Sequence, residues 1–223
     1  MSRLPFITFE GSEGSGKSTQ AERLAAGLQR CGVPCTLTRE PGGTPIGESL
    51  RELLQFAPHN ASMAPETELL LFEASRSQLV REVIKPALER GRCVIADRFF
   101  DSTTVYQGAA RKLDREMIER LNGFAVSDCV PDITFVLDVD AATAESRMRH
   151  EPRKADRMEQ QPTEFYERVR EAYRQLAAHE PGRIVLIDGS QDAEEIENNI
   201  WEAVCSRVPL LTKTNVEHRT SNG

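Results

Sequence analysis

Residues 11–18 read Gly-Ser-Glu-Gly-Ser-Gly-Lys-Ser, directly behind an apolar run at 6–9, Phe-Ile-Thr-Phe. No other stretch restricts the folding of this chain as much. The pattern Gly-x4-Gly-Lys-Ser works as a phosphate loop only between a buried strand and a helix. Glycines at 11, 14 and 16 let the backbone bend until successive N–H groups point into one concavity, where they can hold an anion. The helix that starts there adds the positive end of its dipole. Lys17 can reach the outer phosphates, and the Ser18 hydroxyl can meet Mg²⁺. Gly11, Ser12, Glu13, Gly14, Ser15, Gly16, Lys17, Ser18 and Thr19 are therefore the expected cradle of a nucleoside triphosphate.

Strand and helix patterns alternate along the rest of the chain. Short apolar runs predict strands over 6–9, 34–38, 92–96, 132–139 and 183–187. Helical periodicity predicts helices over 17–30, 46–56, 65–90, 114–126, 141–150, 163–178 and 193–208. In the first of these, Ala21, Leu24, Ala25 and Leu28 share a face, and Gly32 ends it. Pro65 suits a first helical position, and Pro86 predicts a kink or a shortened end. Together these elements imply an α/β three-layer sandwich: a five-stranded parallel sheet covered by helices on both faces. Ligands then collect at the carboxyl ends of the strands. With no repeat and no linker, 1–208 is one expected domain, and the polar, aperiodic 209–223 is expected to be a flexible tail.

Composition removes several alternatives. A net charge of −7 argues against a non-specific DNA or RNA binder, which needs a basic face; a locally positive pocket for a small anion remains compatible with it. The five cysteines are scattered and show no metal-ligand spacing, so reduced thiols are expected rather than zinc. No run reaches the roughly eighteen apolar residues of a membrane span, and Met1-Ser-Arg leads straight into the first strand. The expected location is the cytoplasm, with no membrane partner.

A phosphate loop alone is common to GTPases, ATPases, helicases and small-molecule kinases, so further residues must narrow the choice. Asp97 closes the third strand, where a carboxylate lies beside the loop and can hold Mg²⁺, directly or through water. Arg98 follows it and suits bidentate phosphate recognition. Arg147, Arg149, Arg153 and Arg157, with Lys154, surround a Glu-Pro-Arg break in the helical pattern. Residues 149–160 read as a short lid that can close over a triphosphate and neutralise the transferring group; a solvated charged loop is the alternative. Phe72 and Arg76 are four apart on one helix face. Spacing alone allows either a core phenyl ring or a stacking platform for a nucleobase.

Longer motifs then agree with one another in order and spacing. They are Phe9-Glu-Gly-Ser-Glu13-Gly-Ser-Gly-Lys-Ser, Thr38-Arg-Glu-Pro-Gly-Gly-Thr44, Leu71-Phe-Glu-Ala-Ser-Arg76, Asp97-Arg-Phe-Phe-Asp-Ser-Thr-Thr-Val-Tyr-Gln-Gly108 and Pro131-Asp-Ile-Thr-Phe-Val-Leu-Asp138. From about Ile7 to Val204 the chain resembles the bacterial thymidylate kinases, a P-loop NTPase-type fold. The resemblance implies Mg²⁺-dependent transfer of the ATP γ-phosphate to dTMP. It implies that Arg51 and Arg98 grip the acceptor phosphate and that Glu13 and Glu40 lie near the sugar and phosphate end. It places Phe72 on the thymine face, Arg76 on its O4, Thr103 and Gln107 at the base edge, and Tyr106 against the sugar. Because Ser12, Glu13 and Ser15 bring no cation into the loop, the chain is similar to members whose arginines sit in the lid, which makes Arg153 and Arg157 the expected transition-state stabilisers. The resemblance also suggests a homodimer packed through helices that flank the sheet. A kinase for another nucleotide or for a deoxynucleoside is the nearest rival, and a non-catalytic nucleotide sensor is a rival of another class.

Overall fold

The computed structural model describes residues 3–149 and 161–208. The expected tail at 209–223, most of the expected lid and both of its key arginines, Arg153 and Arg157, lie outside the described residues.

Five parallel strands form one sheet in the order β2-β3-β1-β4-β5. They are β1 (Phe6–Glu10), β2 (Cys35–Arg39), β3 (Cys93–Asp97), β4 (Ile133–Asp138) and β5 (Ile184–Asp188). The central strands read as nearly continuous apolar runs because helices cover both faces; all five residues of β1 are buried. Period-two alternation divides their side chains. Ile7, Phe9, Ile95, Phe135 and Leu137 point to one layer, where they pack with α1 (Lys17–Arg30) and α9 (Ala193–Arg207). On the opposite face Phe6, Val94 and Ala96 meet Leu79, Val80 and Ile84, while Val136 and Ile184 meet α8 (Thr163–His179) through Val169 and Tyr173. The edge strands β2 and β5 keep part of their surface exposed.

The remaining helices are α2 (Pro45–Gln55), α3 (Pro65–Leu79), α4 (Lys85–Glu89), α5 (Phe100–Thr103), α6 (Arg115–Val126) and α7 (Ala141–Arg149). Two expectations needed correction. The single helix over 65–90 is interrupted by a π-helical turn at Val80–Ile84. It precedes Pro86, whose ring and missing N–H disturb the turn before it rather than the helix end. The helical stretch over 100–110, α5 followed by a π-helical segment at Thr104–Ala110, was not foreseen. Thr103, Thr104 and Val105 are β-branched and argue locally against a helix; tertiary packing of Val105, Tyr106 and Ala110 against α8 overrides them. No helix among the described residues is long and apolar enough to cross a membrane, and all five cysteines are free thiols.

A buried ion pair ties α5 to the far edge of the sheet. Arg183 donates to both Asp101 oxygens, at 2.6 and 2.8 Å, and to Thr134 Oγ1 at 2.9 Å. The Asp101 side chain is 1 % exposed, so its charge has no access to water. We predict that Arg183→Ala lowers the unfolding free energy by about 3–5 kcal/mol, because it strands a buried carboxylate. Urea denaturation checks this, and a loss below about 1 kcal/mol contradicts it.

Candidate active site

The phosphate loop stands between the carboxyl end of β1 and α1. Gly11 adopts φ 134°, and a Cβ there would lie 2.6 Å from Leu137 O. Gly14 adopts φ 71°, and a Cβ there would lie 2.5 Å from Ala144 O on α7. Both positions therefore need glycine for backbone shape and for room. Lys17 folds back over the loop and donates to Ser12 O at 2.6 Å and Ser15 Oγ at 3.3 Å. Burial drives its ammonium down to about 8, and the Arg98 charge pushes the same way. Ser18 and Thr19 are exposed at the start of α1, and the Ser18 hydroxyl donates to Asp97 Oδ2 at 2.5 Å.

Beside the loop opens a cleft. Phe72, Arg76, Thr103, Tyr106, Gln107, Glu13, Glu40 and Arg98, all singled out in the sequence, line it together. The half-buried Phe72 thus belongs to the cleft wall and not to the core. Arg51 is not part of the lining; it donates to the carbonyl of Pro41, which is.

Arg98 joins cleft and loop. Its backbone is left-handed at φ 71°, uncommon for a residue other than glycine. It donates to Gly11 O at 3.1 Å, Glu13 Oε1 at 2.7 Å, Ser102 Oγ at 3.0 Å and Tyr106 Oη at 3.3 Å. Tyr106 in turn donates to Glu13 Oε2 at 2.8 Å. Burial raises the Glu13 carboxyl, but Arg98, Lys17 and the Tyr106 hydroxyl outweigh it and hold the group below the ordinary carboxylate value.

Glu10 holds that turn and was missed by sequence reasoning. Its Oε1 accepts from the N–H groups of Phe99 and Ser102 at 2.8 and 3.3 Å; its Oε2 accepts from Ser102 Oγ and Tyr173 Oη at 2.6 and 2.8 Å. Burial, then the nearby Asp101 charge, raises its pKa to about 7. A signal was present: an acidic residue ending an otherwise apolar strand is expensive to bury and needs a reason.

Arg76, expected at the base O4, lines the cleft and is already engaged by the protein. Its guanidinium is buried and donates to Glu40 Oε2 through Nε, to Glu73 Oε1 and Asn122 Oδ1 through Nη1, and to Phe99 O through Nη2, with Glu40 Oε2 also 2.8 Å from Nη2 as an ion pair. The longest of these hydrogen bonds is that to Phe99 O, at 3.3 Å. Glu40 is raised to about 8, first by burial, against the attraction of Arg76. Among the described residues, its Oε1 and the Oε1 of Gln55 are buried without a hydrogen-bond partner, and both residues border the cleft. Arg147 and Arg149, near the expected lid, lie in α7, where they engage Gly189 O and Glu145.

The thymidylate kinase family model matches residues 9–200. The chain belongs to the thymidylate kinase family. It is 46 % identical to the thymidylate kinase of Geobacter sulfurreducens, with 92 % of this chain and 98 % of that one covered. It is 47 % identical to the thymidylate kinase of Halothermothrix orenii, with 89 % and 95 % covered. The crystal structure of the Ehrlichia chaffeensis thymidylate kinase superposes with a TM-score of 0.74 at 36 % identity, covering 91 % of this chain and 99 % of that one. The reaction of thymidylate kinases is phosphorylation of dTMP to dTDP by ATP.

The buried acids predict a pH dependence. Glu10 and Glu40 have folded pKa values of about 7 and 8, above the ordinary 4.5. The folded state therefore binds their protons more tightly. Their contribution is full below 4.5 and is lost as pH rises through 7 and 8. Glu10→Gln should flatten the fall in unfolding free energy between about pH 5 and pH 8. Urea titrations across that range check it; parallel profiles for the parent and the variant contradict it.

Proposed function

We propose that this protein is a cytoplasmic, Mg²⁺-dependent kinase that moves the γ-phosphate of ATP to the 5′-phosphate of dTMP. The observation that carries this reading is the position of Arg98, which touches the phosphate loop at Gly11 O and also lines the cleft. An anion held there sits next to whatever the loop holds.

In this reading Gly11 to Thr19 cradle the ATP phosphates, and Lys17 reaches the γ-phosphate. A lysine whose burial has already weakened its hold on its proton regains charge stabilisation when a polyanion arrives. Ser18 and Asp97 offer two adjacent oxygen donors at the loop, a set that suits a hard cation such as Mg²⁺. Held by Ser18 and Asp97, Mg²⁺ would supply positive charge to offset that of the triphosphate. Thymine lies on Phe72, with Thr103 and Gln107 at its edge and Arg76 closing the far side. Tyr106 and Glu13 flank the sugar, with Glu40 near by; Arg98 and Arg51 hold the acceptor phosphate. Arg153 and Arg157, outside the described residues, are the candidates on sequence grounds for neutralising the transferring group. Transfer between two anions needs in-line placement and fixed positive charge, and no covalent intermediate.

A homodimer completes the proposal. Leu53 and Phe56 at α2, Leu70 on α3 and Met117 and Phe124 on α6 are exposed apolar side chains, and α3 packs on both α2 and α6. The three helices thus adjoin one another, and each carries an exposed apolar side chain, which suits an interface with a second copy. Phe124, 75 % exposed, is its most prominent residue. Light scattering should show a dimer that Phe124→Glu shifts to monomer; a monomeric parent protein contradicts it.

The functional reading is tested by ATP-dependent phosphorylation of dTMP, dUMP, UMP, CMP and thymidine side by side. dTMP should be the best acceptor, and Lys17→Ala should lower kcat on the order of 10²–10³-fold with the fold retained. No turnover of dTMP, or a preference for thymidine, contradicts the assignment.

A further inference from the structure

Gln107 is 2 % exposed, lines the cleft and is held from behind. Its Nε2 donates to Glu68 Oε1 at 2.7 Å. Glu68 itself is 1 % exposed and accepts from Arg111 Nε and Nη2, both at 3.2 Å. A carboxylate paired with a guanidinium only accepts hydrogen bonds, so the amide must turn its NH₂ toward Glu68 and its carbonyl oxygen the other way. Among the described residues that carbonyl oxygen meets no protein donor. The Glu68–Arg111 pair thus fixes a polarity: whatever meets the Gln107 amide from the cleft meets an acceptor.

We propose that Glu68 is a positioning residue for base selection: by holding the Gln107 amide nitrogen, it presents the Gln107 carbonyl oxygen to a ring N–H and so favours thymine and uracil over cytosine. This rests on the reading of the cleft as the nucleoside monophosphate site. Thymine and uracil both carry an N–H at ring position 3. Cytosine carries an unprotonated nitrogen there, so a fixed carbonyl oxygen would face a lone pair. Both groups would then be buried without a partner, and a site built around a hydrogen bond rejects the analogue that lacks it. The 5-methyl group plays no part in this contact. The device therefore separates thymine from cytosine and leaves the choice between thymine and uracil to other residues.

The prediction concerns ratios, which general damage to the fold does not alter. In Glu68→Gln, the new side chain can donate to Gln107 as well as accept from it, so the Gln107 amide is free to turn over. The ratio of kcat/KM for dTMP over dCMP should fall at least about tenfold, while the ratio for dTMP over dUMP stays within about twofold. Arg111→Met leaves both Glu68 and Gln107 in place and removes the guanidinium that holds the carboxylate. It should move the same ratio in the same direction, and it serves as the test if Glu68→Gln does not fold. An unchanged dTMP-to-dCMP ratio in a folded variant overturns the inference while the parent still phosphorylates dTMP. Equal falls in both ratios overturn it as well. A parent protein that does not turn over dTMP overturns the underlying reading and this inference with it.

Discussion

Arg98 has to serve two neighbours at once, and the surrounding structure is arranged to let it. Its guanidinium reaches the phosphate loop on one side and the cleft on the other. The left-handed backbone that aims it is held by Glu10, which accepts from the next N–H and from that of Ser102, while Arg98 N–H itself donates to Phe9 O. A carboxylate inside the sheet layer is costly to desolvate. Here four hydrogen bonds offset that penalty and fix a turn that, for a residue other than glycine, would otherwise be strained.

The same logic recurs around the cleft. Arg76 sits between Glu40 and Glu73, Arg111 holds Glu68, and Arg183 holds Asp101. Apart from Arg76–Glu73, three residues apart within α3, these pairs couple segments far apart in the chain, and each orients a side chain that borders the cleft or the helix that carries its wall. Charges paired in this way add little net stability, but they have few alternative arrangements. That is the property a phosphotransfer site needs, because dipoles and cations fixed before the ligand arrives require no reorganisation during transfer.

How much was legible in the sequence follows from how local each signal is. The strands were readable because burial on both faces demands continuous apolar runs, and the loop because its glycines answer to backbone geometry within eight residues. The grouping of Phe72, Arg76, Thr103, Tyr106 and Gln107 came from motif resemblance, since nothing in their spacing brings the two separate segments 72–76 and 103–107 together. Helix formation over 100–110 was hidden because β-branched residues argue locally for strand and only packing on α8 reverses them. The ion pairs were invisible for a related reason: Glu40 and Arg76 are 36 residues apart, and Arg183 and Asp101 are 82 apart. Helix periodicity placed Arg76 on the right face, but it could not reveal that four acceptor atoms of the protein already surround its guanidinium.

The most direct test of the central claim, that Arg98 links the two nucleotide sites, is a crystal structure with adenosine and thymidine joined through a polyphosphate chain. The account predicts adenosine-side phosphates inside the loop at 11–19, thymine on the Phe72 ring, and the Arg98 guanidinium on the phosphates between them. A complex with the thymine outside the cleft, or with Arg98 turned away from the bridging phosphates, would contradict it.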